Sequence, residues 1–301
     1  MHIGIFSQGT NTGTIDQLVD EATQVEADGF ASFWVSQIFG HDALTVLAIV
    51  GREVPRIELG TGVVPTYPRH PVMLAQQALT VNAAANGRLA LGIGLSHKIV
   101  IESILGLSYD KPVRHLREYL SVLMPLLEGT PVGFDGEEYR VHAGVSAPGT
   151  SRPGVFVAAL GEQTLRVTAA LADGTVTWCT GPATLRDHTV PTLTAAAEVA
   201  GRPTPRVIAA LPVCVTEDRS AALGRAAATF QVYGQLPSYR AMLDREGAAG
   251  PEDVAIIGGE DEVGERILAL AQAGVTDFVA AEFGGDPDEV GRTRDLLKTL
   301  I

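Results

Sequence analysis

The amino-acid sequence predicts a (β/α)8 barrel, and three observations support this fold class. Eight short apolar segments follow one another along 301 residues, and helical patterns lie between them. These segments have little polar alternation, which is typical of parallel strands covered on both faces. The length suits one barrel, since such domains reach about 250 residues or more. An open, doubly wound parallel sheet is the alternative that the same pattern allows.

The eight predicted strands are the apolar segments between turn and helix signals. They are His2 to Phe6, Phe33 to Ser36, Ile57 to Val64, Leu89 to Leu95, Val155 to Leu160, Thr175 to Cys179, Val207 to Val215 and Asp277 to Ala281. We expect residues 1–301 to form a single barrel domain. Two long connections, 96–154 and 216–274, predict insertions after strands 4 and 7 that build a wall of the active site.

Local signals place several helix ends. Thr14 and Gln17 form a capping-box pattern that starts the first helix, and Gly29 is suited to the left-handed turn that ends it. Pro71 suits the first position of a later helix. Asp286, followed by proline and acidic residues, predicts the start of the last helix. Within the first insertion, the sequence predicts a helix over 113–127 and a hairpin turn at Asp135-Gly136.

Composition and charge exclude several function classes. The chain has 22 Lys and Arg against 35 Asp and Glu, so its net charge of -13 argues against a general nucleic-acid surface. The first residues lack the features of a signal peptide, and no apolar run approaches the roughly 20 residues of a membrane span. We therefore expect a cytoplasmic protein without a membrane partner. Cys179 and Cys214 stand apart with no metal-ligand spacing, so we expect two buried thiols and no metal site.

In a (β/α)8 barrel the reacting groups gather at the carboxyl ends of the strands. The candidate site residues are therefore those that directly follow each apolar segment. They are Ser7 and Gln8, Ser36 to His41, Gly62 to Pro65, Ser96 to Lys98, Ala159 to Glu162, Cys179 to Gly181, and Glu282 to Gly284.

The segment from Ala158 to Leu165 passes from a strand into a helix through small residues. Small residues let a ligand approach the backbone closely, and a helix N-terminus offers free N–H groups to a phosphate. This pattern indicates a phosphate site. Ordinary packing of a strand against a helix explains it equally well.

Four segments in order along nearly the whole chain resemble the luciferase-like monooxygenase family, in particular its branch that uses the deazaflavin coenzyme F420. That branch includes methylenetetrahydromethanopterin reductase and related actinobacterial enzymes. The segments are Ala27-Asp-Gly-Phe-Ala-Ser-Phe-Trp-Val35, Leu59-Gly-Thr-Gly-Val-Val-Pro-Thr-Tyr-Pro-Arg-His-Pro71, Gly87-Arg-Leu-Ala-Leu-Gly-Ile-Gly94, and Ala158-Ala-x-Gly161-x-x-x-Leu165 followed by Ala172-Asp-Gly174.

The resemblance implies a barrel of the bacterial-luciferase type and a set of cofactor contacts. A bulge after the third strand, with a non-prolyl cis peptide at Gly62-Val63, is expected behind the deazaflavin ring. The turn of Ala159, Leu160 and Gly161 is expected to face the coenzyme phosphate. Ser96 is expected near the polar linker of the coenzyme. A plain strand end before Pro65 is the alternative to the bulge.

The resemblance also directs attention to His97 and Gln37 as catalytic candidates. His97 falls where related dehydrogenases carry an acidic residue, and imidazole exchanges protons near neutral pH. A solvent-facing His97 that caps a helix is the alternative. Many relatives read Trp-Val-x-Asp-His-Phe after the second strand, whereas this chain has Gln37 and Ile38 in place of the acid and histidine. Gln37 can hydrogen-bond a ring but cannot relay a proton.

Positive groups are needed to receive the anionic tail of the coenzyme. The sequence offers Arg69, His70 and Lys98 at strand ends, and Arg114, His115 and Arg117 in the first insertion. A solvated helix face is the alternative for the last three. His41 and Asp42 lie beside the site or begin the following helix, and we favour the helix.

These observations predict hydride transfer between coenzyme F420 and an electron-poor C=C or C=N bond of a small organic substrate. The first alternative is an FMN-dependent monooxygenase, as in other branches of the family. The second is a non-catalytic flavin-binding relative, which the missing acid and histidine would favour. A homodimer through outer helices is expected from the resemblance.

Overall fold

The computed structural model describes residues 1–301, which form a mixed α/β structure. The strands are β1 (His2–Phe6), β2 (Ser32–Val35), β3 (Glu58–Thr61), β4 (Val64–Pro65), β5 (Leu89–Gly94), β6 (Val132–Asp135), β7 (Arg140–Ala143), β8 (Gly154–Ala158), β9 (Gly174–Trp178), β10 (Arg206–Val215), β11 (Ile256–Gly258) and β12 (Asp277–Glu282). The helices are α1 (Ile15–Ala27), α2 (Ala43–Glu53), α3 (Pro71–Ala84), α4 (Pro112–Leu127), α5 (Glu162–Leu171), α6 (Pro182–Thr184), α7 (Val190–Val199), α8 (Arg219–Gln235), α9 (Pro237–Glu246), α10 (Pro251–Val254), α11 (Glu260–Gln272) and α12 (Pro287–Thr299).

Eight parallel strands close into a barrel in the order β1, β2, β3, β5, β8, β9, β10 and β12. The ring closes because β12 pairs with β1, with His2 opposite Asp277. The predicted (β/α)8 barrel is therefore confirmed, and the open doubly wound sheet is excluded. The carboxyl ends of all eight strands meet at one end of the barrel, which we call the mouth.

The helix ends follow the local signals in the sequence. The Thr14 side chain accepts a hydrogen bond from the Gln17 N–H, and the Gln17 side chain accepts one from the Thr14 N–H, so the capping box is present. Gly29 has a φ of 93°, which a glycine adopts without steric cost. Pro71 and Asp286 occupy the predicted first-position and N-cap sites of α3 and α12.

Successive residues of each strand point alternately to the helices and to the barrel interior. The larger core lies between strands and helices, whereas a smaller core of Trp34, Ala90, Phe156, Val176, Ile208, Ala210 and Val279 fills the interior. The interior is tightly packed, since a methyl group on Gly60 would lie 2.1 Å from the Trp34 ring. No helix is both long enough and apolar enough to cross a membrane.

The predicted third strand differs from the structure. Instead of one segment from Ile57 to Val64, β3 ends at Thr61 and the separate two-residue β4 pairs with β5. At the end of β3, the Thr61 hydroxyl takes the place of regular backbone pairing with β5. It donates to the Gly92 carbonyl at 2.7 Å and accepts from the Gly92 N–H at 2.8 Å. The chain therefore leaves regular pairing at residues 62–63.

The two long connections contain barrel helices as well as inserted elements. Between β5 and β8, α4 precedes the hairpin of β6 and β7, whose turn lies at the predicted position. Between β10 and β12, three helices and the short strand β11 precede the barrel helix α11. Strand β11 was not predicted from the sequence, and it lies beside β10 in the sheet, paired with Val213 to Val215.

The guanidinium of Arg206 closes the end of the barrel opposite the mouth. It donates two hydrogen bonds of 2.9 Å to Glu58 and bonds of 2.7 and 3.1 Å to Asp277. Glu58 begins β3 and Arg206 begins β10, and these strands face each other across the ring. The guanidinium also lies 5.0 Å from the centre of the Phe156 ring. Ion pairs and hydrogen bonds of Arg206 therefore close the barrel at the amino ends of its strands.

Replacement of Arg206 by Leu should lower the free energy of unfolding by about 2–3 kcal/mol, because two carboxylates would be left without their partner. Urea denaturation followed by circular dichroism measures this change. Arg219→Leu is the matched control, since Arg219 forms a single exposed pair with Glu262 and should change stability by less than about 1 kcal/mol. Equal losses in the two variants would show that the pairs at the amino end contribute no more than an ordinary surface pair.

Candidate active site

The mouth of the barrel has an apolar floor made of Phe6, Val63, Ala158 and Trp178. These side chains pack on the interior core and are only partly buried. Phe6, Ala158 and Trp178 end strands β1, β8 and β9, and the Phe6 and Trp178 rings lie 5.8 Å apart. The floor carries no charge, so it suits a flat apolar group rather than an ion.

The backbone at Gly62 and Val63 shapes one side of this floor. The peptide bond between the two residues is cis. A methyl group on Gly62 would lie 2.5 Å from the Phe6 ring, and one on Gly94 would lie 2.7 Å from the Val63 side chain. Glycine at both positions therefore lets Phe6 and Val63 occupy the floor together.

Two non-glycine residues at the mouth adopt left-handed backbone conformations. Ser96 follows β5 with a φ of 58°, and Cys179 follows β9 with a φ of 48°. Such conformations are uncommon and gather at functional sites. The Ser96 carbonyl accepts a hydrogen bond of 3.4 Å from the Tyr109 hydroxyl. Both cysteines are buried, as predicted, and burial raises the pKa of the Cys179 thiol well above its ordinary value.

His97 lies at the mouth with a partly buried imidazole ring. Its main-chain carbonyl accepts hydrogen bonds from the Val100 and Ile101 N–H groups, while the ring itself has no hydrogen-bond partner in the chain. The ring centre lies 5.8 Å from that of Tyr239. Burial lowers the pKa of His97 below 6.5, so the imidazole is mainly neutral at pH 7. The helix-starting contact is made by the backbone and leaves the imidazole available.

Gln37 is partly committed to the start of α2. Its side-chain oxygen accepts a hydrogen bond of 2.8 Å from the Ala43 N–H, which leaves the amide NH2 group available. Asp42 caps the same helix by accepting from the Thr45 N–H at 2.9 Å, so the helix interpretation of Asp42 is confirmed. Gln37 therefore presents a donor, held in place by the helix that follows it.

The turn between β8 and α5 leaves open backbone at the mouth. Gly161 is the N-cap of α5 and has no capping side chain, so the first N–H groups of the helix have no side-chain acceptor. His188 approaches the Leu160 carbonyl at 2.8 Å, and Ala159 is fully buried. A methyl group on Gly161 would meet only Thr164, at 3.7 Å. The packing of the chain itself therefore does not require glycine there.

Several cations proposed from the sequence for anion binding are engaged elsewhere. The Arg69 guanidinium is bound by Asp42 and by Gln77 at 2.7 Å. The His70 ring accepts from the Val72 N–H at the start of α3. Both side chains therefore already complete a helix start or a loop contact within the chain.

The remaining cations proposed from the sequence all lie in the first insertion. Arg114 binds Glu137 and Glu138 of the hairpin, and Arg117 is exposed. Lys98 has a side chain 70% exposed and a distant partner in Glu102 at 3.8 Å. Lys98 is therefore the cation at a strand end that retains freedom to meet an anion.

His115 belongs to a buried cluster that holds the β6–β7 hairpin, and it is not free to bind an anion. Its ring lies 2.9 Å from the Thr66 hydroxyl and 3.4 Å from the Tyr139 hydroxyl. The Tyr67 ring stacks on it with centres 3.8 Å apart. Burial lowers the pKa of His115 to about 4. The imidazole is thus neutral at pH 7 and has a structural role.

The pKa of His115 predicts a loss of stability in acid. The unfolded chain binds a proton there near pH 6.5, whereas the folded protein does so near pH 4, so the unfolded state binds more protons between these values. The free energy of unfolding should fall by about 2–3 kcal/mol from this group as pH drops from 7 to 4. Urea denaturation at several pH values measures it.

His115→Gln should remove this contribution to the pH dependence. His142→Gln, on strand β7 of the hairpin that packs against His115, is the control because the His142 side chain is 68% exposed. The His142 variant should keep the slope of the unmodified protein. An unchanged slope in the His115 variant would contradict the assignment.

Aromatic side chains of the second insertion contact the mouth, and they were not among the site residues predicted from the sequence. Phe230 and Tyr233 of α8 meet the Trp178 ring edge-on at 5.7 and 5.9 Å, and Tyr239 of α9 lies 5.1 Å from Tyr233. The only available signal was the presence of aromatic residues in a connection too long for one barrel helix. Helical spacing alone does not show which face of α8 meets the mouth.

A surface groove of about 600 Å³ runs along the outside of the barrel between α1 and α12. Arg294 on its wall is bound to Asp28 at 3.1 Å and to Glu282 at 2.8 Å. One of its lining residues is apolar, so the groove lacks the apolar floor found at the mouth. The candidate site is therefore the mouth.

The model of a known protein family, described as luciferase-like monooxygenase, matches residues 1–277. The chain belongs to this family. Among sequence relatives, a 5,10-methylenetetrahydromethanopterin reductase from Archaeoglobus fulgidus is 27% identical and covers 92% of each chain. The family assignment agrees with the resemblance found in the sequence.

Solved structures of other proteins share the fold of this chain. The coenzyme F420 dependent tetrahydromethanopterin reductase from Methanopyrus kandleri superposes with a TM-score of 0.81 at 20% identity, covering 99% of this chain and 97% of the other. The oxygenating constituent of 3,6-diketocamphane monooxygenase from Pseudomonas putida, in complex with FMN, gives 0.75 at 17% identity and coverages of 99% and 96%. Proteins whose names give different ring cofactors, coenzyme F420 and FMN, thus share this barrel.

Proposed function

We propose that this protein is a coenzyme F420-dependent oxidoreductase that transfers a hydride between the deazaflavin and an electron-poor C=C or C=N bond of a small organic substrate. The observation that carries the proposal is the position of an uncharged floor beside an open helix N-terminus. Ala158 belongs to the floor, and Gly161 follows it by three residues, which span at most about 10 Å. A ligand with a flat ring and a phosphate fits both features together.

The residues present are suited to the two ends of such a cofactor. Phe6, Val63 and Trp178 offer apolar contact to a ring. The free N–H groups and dipole of α5 favour a phosphate. Glu162 at the first turn is paired with Arg166 at 2.5 Å, which offsets its negative charge. Lys98 supplies a mobile cation for the acidic tail.

Reduced coenzyme F420, when bound, supplies the hydride, and residues of the chain orient the substrate and transfer the proton. We assign contacts with the cofactor to Ser96 and to the turn of Ala159, Leu160 and Gly161. The free amide of Gln37 donates to an acceptor atom of ring or substrate. The unpartnered imidazole of His97 passes a proton to the substrate, so His97→Asn should slow turnover while the cofactor Kd stays unchanged.

Gly161→Val should weaken coenzyme F420 binding by at least about tenfold, because the added side chain projects into the space assigned to the phosphate. Gly259→Val is a closely matched control. Gly259 is the N-cap of α11, has an extended conformation like that of Gly161, and likewise has no close neighbour. The control should bind the cofactor normally, and both variants should keep the melting temperature of the parent within a few degrees. Normal binding of coenzyme F420 by the Gly161 variant would show that the turn between β8 and α5 does not contact the cofactor.

Titration of the protein with coenzyme F420 and with FMN, followed by cofactor fluorescence, tests the proposed function. We expect the deazaflavin to bind more tightly and its reduced form to be oxidised when an electron-poor alkene is added. Tight binding of FMN alone would support the monooxygenase alternative. Binding of the deazaflavin without oxidation by any acceptor would support a non-catalytic flavin-binding protein.

A further inference from the structure

A continuous row of aromatic side chains crosses one side of the mouth. We call Trp178, Tyr233, Tyr239 and His97 the aromatic row. Adjacent ring centres along it are 5.9, 5.1 and 5.8 Å apart. Trp178 ends β9 and His97 follows β5, and β8 lies between these strands. The row therefore passes over the end of β8, where Ala158 contributes to the floor.

The insertion that carries Tyr233 and Tyr239 is firmly attached to the barrel. The carboxylate of Glu246, at the end of α9, accepts hydrogen bonds from the Ala183 and Thr184 N–H groups at 3.0 and 2.6 Å. Phe230 and Phe283 pack behind the row, with ring centres 5.7 Å apart. The row is thus held against the barrel by hydrogen bonds and by ring packing.

The row is uncharged at neutral pH. Burial raises the pKa of Tyr233 and Tyr239 and lowers that of His97, which keeps all three side chains neutral. The nearby carboxylates are already bound, since Glu246 accepts from α6 and Glu282 is paired with Arg294. The row itself offers a charged substrate no partner of opposite charge to offset the loss of its water, and Lys98 beside it is assigned to the acidic tail of the cofactor.

Trp178 carries a buried hydrogen-bond donor beside Tyr233. Its indole N–H is buried and has no hydrogen-bond partner in the chain. Trp34, the other tryptophan, instead donates to the Ser32 hydroxyl at 2.9 Å. An unpaired buried donor is costly, and an oxygen acceptor on a ligand would satisfy it.

We propose that the aromatic row is the acceptor subsite and that it takes a neutral, planar α,β-unsaturated carbonyl compound. This inference rests on the proposed function. The rings stack on the planar conjugated system, and the indole N–H of Trp178 donates to the carbonyl oxygen. A neutral conjugated carbonyl compound can pack against the aromatic row and accept a hydrogen bond from the indole N–H of Trp178.

The reaction at this subsite balances with the cofactor already proposed. A hydride from the reduced cofactor forms a C–H bond at the β-carbon, the C=C bond becomes single, and the electron pair moves toward the carbonyl oxygen. A proton from solvent, passed by His97, then adds at the α-carbon. The substrate gains two electrons and the cofactor loses them.

The test compares two acceptors of similar size, 2-cyclohexen-1-one and 1-cyclohexene-1-carboxylate, with reduced coenzyme F420 and the full chain. We expect kcat/KM for the neutral enone to exceed that for the carboxylate by at least about tenfold. Trp178→Phe keeps an aromatic ring and should lower kcat/KM for the enone by about 5–10-fold through the lost hydrogen bond. Because Trp178 also belongs to the floor, kcat/KM is compared at saturating cofactor. Tyr139→Phe, on the hairpin, is the control and should behave as the parent.

A second readout does not depend on turnover. Titration of the cofactor-free protein with 2-cyclohexen-1-one should change tryptophan fluorescence saturably, and Trp178→Phe should lose this change because Trp34 is buried in the barrel interior. The carboxylate should give no saturable change. Equal or better use of the carboxylate, or parental behaviour of the Trp178 variant, would overturn the inference. Saturable enone binding without deazaflavin binding would instead overturn the proposed cofactor and leave the subsite standing.

Discussion

Closure of the eight-stranded ring, sealed at one end by Arg206, is the constraint on which the rest of the molecule depends. Arg206 binds Glu58 and Asp277 at the amino ends of three strands, so that end holds paired charges. The opposite end holds the uncharged side chains of the floor. A flat apolar ligand therefore has one end of the barrel available, and the loops after the strands are placed around it.

The mouth is assembled from residues that also terminate or start regular elements. Gln37 contacts the N-terminus of α2, and the Leu160 carbonyl contacts His188 just before α5. Their backbone positions are therefore set by the helices of the barrel and do not need a ligand. Such preorganisation limits the loss of conformational entropy on binding. The open N-terminus of α5 contrasts with α2, whose N-terminus is capped by Asp42.

In the proposed function, the barrel contacts the cofactor and the second insertion contacts the substrate. The strands supply the floor and the turn at Gly161, which any ring cofactor with a phosphate would use. The helices α8 and α9 supply Tyr233 and Tyr239, which connect to the floor through the contact of Tyr233 with Trp178. Changes in this insertion would alter the accepted substrate with little effect on the cofactor, since the barrel elements remain unchanged.

The sequence by itself determined the features that arise from local physics. Alternating apolar strands and helices predicted the barrel, and Thr14, Pro71 and Asp286 marked helix starts because capping depends on neighbouring residues. Only the tertiary structure decided how distant residues are paired. Arg206 meets Glu58 across 148 positions, Asp42 takes up Arg69, and His115 is buried against Tyr67 and Tyr139. Long-range pairing depends on which strand ends meet and which helix faces turn inward, and a residue's neighbours in sequence do not specify either.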